Sequence, residues 1–129
     1  MRFMMLVKHT EKVQGDRPVA PPQKLMDEME KVREQAEKAG IMILNGGLAP
    51  TAVSSRVRVS GGKVSVIDGP FSETKEVIGG FAILDLKSRE DAIDSARRFM
   101  ELHRQHWPGW EGETEIRQIF GPEDFAPRK

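Results

Sequence analysis

The side chains best suited to carrying protons near neutral pH are three histidines, and each stands at the close of a patterned segment. His9 ends an apolar run that starts at Phe3. His103 and His106 end a helical pattern just before Trp107-Pro108-Gly109-Trp110. A spacing of three puts His103 and His106 on one side of a helix, where two imidazoles can chelate a metal, but a site needs a third ligand and none is identified. The competing reading packs His103 at the helix end and sets His106 against the last carbonyls at the negative end of the dipole. That reading is favoured, and no metal is expected. Carboxylates and a cation gather in one loop, Asp68-Gly69-Pro70-Phe71-Ser72-Glu73-Thr74-Lys75-Glu76. Asp68 and Glu73, with His9 and His103, are the candidates for moving a proton on a small ligand. Gly69, Pro70, Phe71, Lys75 and Trp107 are the candidates for holding it. The same loop has an architectural reading, in which Asp bonds to backbone N–H groups, Gly takes a positive φ, Pro fixes its own φ and Phe plugs the core.

The elements that position these residues follow from periodicity. Phe3 to Lys8 reads as a central strand, and Glu11 to Gln23 as a loop rich in proline. A helix is expected from Gln23 to Ala39, with Leu25, Met26, Met29, Val32 and Ala36 as its apolar stripe and Gly40 as a left-handed cap. A strand from Ile41 to Leu44 meets a turn or bulge at Asn45-Gly46-Gly47. A hairpin follows, turning at Ser60-Gly61-Gly62-Lys63. Val77 to Leu86 is the longest strand pattern, and its Gly79-Gly80 pair marks a bulge by default, or close approach of a ligand or partner. Ser88 caps a second helix lined by Ala92, Ile93, Ala96, Phe99, Met100 and His103. Glu115 to Phe120 is the last strand. Trp107 and Trp110 read as a hydrophobic clasp, or as aromatics at a cleft rim.

This order predicts an α+β, ferredoxin-like two-layer sandwich with an inserted β-hairpin. Residues 1–120 form one domain and 121–129 a C-terminal tail. One sheet face has no helix to cover it, so a homodimer is expected. The chain has 129 residues, no cysteine, and twenty basic against twenty acidic groups, for zero formal net charge. The balance gives no long-range field for nucleic acid. The lack of cysteine removes disulfides and thiolate chemistry and points toward the cytoplasm. No apolar stretch has the length of a membrane span. Nucleophile elbows, phosphate-cradling loops and dinucleotide fingerprints are missing, so no cofactor is expected.

The run Val66-Ile67-Asp68-Gly69-Pro70-Phe71-Ser72-Glu73-Thr74-Lys75-Glu76, extended through Val77-Ile78-Gly79-Gly80-Phe81-Ala82-Ile83-Leu84, resembles the DGPF motif of the YCII-related protein family. The resemblance covers most of the chain and implies a ferredoxin-like fold that associates into dimeric α+β barrels. The family is mostly uncharacterised. A relative is a dehydrochlorinase of a chlorinated hydroxyquinone, the fold is shared with muconolactone isomerases, and some DGPF members accompany sigma factors. Simpler members carry a His–Asp pair with the histidine in the first helix region. The first helix here contains no histidine, so no dyad is carried over. Two functions follow as expectations. One is a cofactor-free lyase, isomerase or dehydrohalogenase acting on a small cyclic organic acid. The other is a non-catalytic ligand-binding or regulatory module.

Overall fold

The computed structural model describes residues 1–10, 13–14, 17–71 and 76–125. Apolar alternation produces a nine-residue first strand, β1 (Arg2–Thr10), in which Phe3 and Met5 are buried and Met4 and Leu6 face the other way. Two short paired strands, β2 (Val13–Gln14) and β3 (Arg17–Pro18), lie inside the segment read from sequence as loop. Helix α1 (Gln23–Lys38) starts at Pro22, and Gly40 at φ 73° closes it in the left-handed conformation expected of it. Its stripe is thinner than the periodicity predicts. Leu25 is fully buried, but Met26 and Val32 are exposed.

Strand β4 (Met42–Gly47) runs on through Asn45-Gly46-Gly47, with an irregularity between Met42 and Leu44 instead of a turn. The hairpin of β5 (Ser55–Ser60) and β6 (Lys63–Asp68) forms its own two-stranded ribbon. Its turn holds Gly61 at φ 59° and Gly62 at φ 76°, the positive pair that matches strand twist. Strand β7 (Glu76–Asp85) follows. Helix α2 (Arg89–His106) is capped by the Ser88 hydroxyl, which accepts a bond from the Asp91 N–H at 3.2 Å. The last strand, β8 (Gly112–Gln118), begins three residues earlier than its sequence pattern and ends at Gln118.

The main sheet has the order β4-β7-β1-β8 with every neighbour antiparallel. With two helices, this α+β arrangement is compatible with a ferredoxin-like fold. Phe3, Met5, Leu84, Leu86, Ala92 and Ala96 form the core between sheet and helices. Phe71, expected as a core plug, is not part of that cluster; it lies half-buried beneath the Arg56 guanidinium, 3.8 Å from its ring centre. On the opposite sheet face Met4 and Leu6 sit beside Ile83 and Phe81, with Lys8 bound to Glu115 at 2.7 Å. No described helix is long and apolar enough to cross a membrane.

Candidate functional site

Antiparallel pairing decides what meets at one end of the sheet. His9 lies opposite Val77 at the start of β7 and opposite Gly112 at the start of β8. Helix α2 runs from the far end, so its last turn returns to the same place. The His9 ring lies 6.2 Å from Trp110, and Trp110 lies 4.5 Å from His103 and 6.0 Å from Trp107. The two indoles are nearly parallel, 24° apart, as a clasp requires. Gly109, at φ 84°, turns the chain between them, and the Trp110 N–H donates to the Trp107 carbonyl at 3.1 Å.

Two glycines make room for this cluster. The register slips between Val7 and Lys8 and leaves Gly79 as the extra residue of a bulge. A Cβ at Gly79 would fall 2.1 Å from His9 Nε2, so the imidazole occupies the space a side chain would take. The default reading of Gly79 as a bulge holds, and the group that comes close to it is His9 of the same chain, not a ligand or partner. Gly112 does the same for Trp110, whose ring would stand 2.4 Å from a Cβ there. This contact is local, between residues two apart in the connection from α2 to β8, and no motif around Gly112 marks it.

The hydrogen bonds of the histidines set their tautomers. His9 Nδ1 lies 2.8 Å from the Thr10 carbonyl, and His103 Nδ1 lies 2.9 Å from the Phe99 carbonyl. A carbonyl only accepts, so in each neutral ring Nδ1 carries the proton and Nε2 keeps its lone pair. His103 is 6% exposed between Phe99 and Trp110. Burial holds it below the ordinary imidazole value, with His9 pushing the same way and the Phe99 carbonyl opposing. It sits behind Trp110, as the packing reading of the helix end has it.

A cavity of about 200 Å³ opens beside the cluster, lined by His9, Thr10, Val19, Trp107, Gly109, Trp110 and Glu111. His9 and Trp107 thus share it, while His103 supports its wall from behind. Asp68 and Gly69 are not part of this lining and stand at the root of the ribbon. The Ser55 hydroxyl donates to the Asp68 carboxylate at 2.6 Å, and the Gly69 N–H donates to the Ser54 carbonyl at 2.8 Å. Gly69 does not have the positive φ expected of it. Its need is spatial: a Cβ would fall 1.7 Å from the Thr51 carbonyl oxygen. Pro70 follows through a cis peptide bond and is exposed. Glu73 and Lys75 lie outside the described residues. Among the described residues no group of three His, Asp or Glu side chains is placed to hold a metal ion. Glu111 is the lining carboxylate that sequence reasoning missed, since it follows the clasp with no motif around it.

A small α+β sheet protein with an aromatic cleft edged by His9 is the class these features define. The sequence profile of the YCII-related domain matches residues 1–103. An uncharacterised protein of Rhizobium meliloti (strain 1021) is 32% identical over 97 residues, which span 75% of this chain and 78% of that protein. The chain belongs to the YCII-related family.

Proposed function

We propose that this protein is a cofactor-free acid–base enzyme, of the lyase, isomerase or dehydrohalogenase kind, acting on a small cyclic organic acid in the Trp-lined cleft. The observation that supports it is the His9 ring. It lines the cavity, is seated on Gly79 and is held by Thr10 in the tautomer whose Nε2 accepts a proton. In this reading the Trp107–Trp110 pair flanks the flat face of the ring, and Glu111 receives or returns the proton. A carboxylate ligand also needs a cation, and Lys75 is the candidate. The protein acts as a cytoplasmic homodimer, because Met4, Leu6, Phe81 and Ile83 form an apolar sheet face that neither helix covers. Neither nucleic acid nor membrane takes part.

The test is incubation in D₂O with a panel of cyclic acids, among them 4-hydroxybenzoate, cyclohexenecarboxylates and unsaturated lactone acids, followed by NMR. Binding with deuterium exchange at a ring carbon, abolished by His9→Gln, is the expected result. A second reading asks only that the cleft hold a ligand, with no proton transfer. Binding that survives His9→Gln without any exchange makes the protein a ligand-binding or regulatory module. Binding by no compound of the panel overturns the cyclic-acid assignment.

A further inference from the structure

The β5–β6 ribbon turns an apolar face to water. Its register sets Val57 opposite Val66 and Val59 opposite Val64, so four valines share one face. That face points to water, with the valines 70%, 75%, 70% and 69% exposed in the order Val57, Val59, Val64, Val66. The other face carries Arg56, Arg58, Lys63 and Ile67: at the root Arg56 and Ile67 are half-buried, with Arg56 over Phe71, while Arg58 and Lys63 are exposed. A half-buried ribbon ordinarily places its apolar side inward and its cations outward. A two-stranded ribbon is also marginal alone and needs something against its apolar side.

We propose that the valine face of this ribbon packs against the same face of a second copy of the chain, about a two-fold axis. Charge selects that occupant. An isologous contact sets a patch against itself, so any net charge on it meets its own sign. The valine face carries only Asp68 at its root, already bonded to Ser55, while every cation of the ribbon stands on the other side. Area agrees. The four valines expose on the order of 400 Å² of apolar surface, about half of what one partner gives to a standard interface of roughly 800 Å² per side. A contact of that size adds to the homodimer and is not the whole of it. The positive-φ pair at Gly61 and Gly62 presents the face already ordered.

The proposal rests on the homodimer reading above and names a surface for it. Val59→Lys and Val59→Glu are expected to raise the dimer dissociation constant about tenfold or more each, measured by analytical ultracentrifugation. Mixing the two variants in equal amounts restores the dimer at low salt and not at high salt. Arg58→Glu, on the opposite face, leaves association unchanged, and denaturant midpoints confirm that all three variants fold. A dimer that persists in both Val59 variants overturns the ribbon contact and leaves the homodimer standing. Variants that dissociate but fail to pair when mixed also overturn it. A monomeric parent protein removes both readings at once.

Discussion

His103 and Gly79 show how much one residue decides here. His103 is neutral in the fold because burial holds its affinity for protons below the ordinary imidazole value. The unfolded chain therefore takes up a proton first as pH falls, and stability drops from about pH 6.5 down to the depressed folded value, with no effect of this group above that window. His103→Gln removes that slope, which urea denaturation between pH 7.5 and pH 5 measures. At Gly79 an added methyl meets only the far end of the His9 ring, a group that can swing aside. Gly79→Ala should hold stability to within about 1 kcal/mol of the parent while displacing His9. Histidine ring NMR shifts report the displacement, and ligand binding falls with it. The histidines and both tryptophans were legible in the sequence as candidates. Chain directions alone bring His9, His103 and Trp107 to one end, but the contacts themselves were not legible, because Gly79 makes room for His9 through an absent atom in a strand far along the chain.

The elements divide by whether their determinants are local. Helix α2 was legible throughout: Ser88 caps it, Pro108 and Gly109 follow its end, and its inner residues recur at three and four. Ser88→Ala is expected to cost about 1 kcal/mol, read from the denaturant midpoint. The stripe of α1 was legible only in part, since its contacts with α2 and β4 bury Leu25 but leave Met26 and Val32 to solvent. The Asp-Gly-Pro-Phe loop departs from its turn reading at three residues: Asp68 accepts from the Ser55 hydroxyl and not from backbone, Gly69 has no positive φ, and Phe71 lies under Arg56 outside the core cluster. The Gly69 backbone passes so close to Thr51 that a side chain has nowhere to go. Gly69→Ala should destabilise by about 1–3 kcal/mol, because the obstructing atom is main chain and cannot rotate away. An unchanged midpoint would show that the 51–54 turn yields without cost.

At the scale of the whole molecule, the strand order explains why distant segments share one cleft. β1 is the centre of the fold, hydrogen-bonded on both sides, and its last residues touch the starts of β7 and β8 together. The α+β class was legible because helical and alternating periods are well separated along the chain. The exposure of the ribbon's valines was not, since alternation shows that two faces differ without saying what either one meets. The clasp has one more consequence. The chain contains two tryptophans and no tyrosine, and both indoles stand in the wall of the cleft, stacked on each other. Nearly all of the protein's ultraviolet emission therefore arises from the candidate site. The pair should give an exciton couplet in circular dichroism, and Trp110, against His103, should dim as that imidazole gains its proton. The cleft thus carries its own optical gauge, through which occupancy, protonation and ring displacement are read without a label.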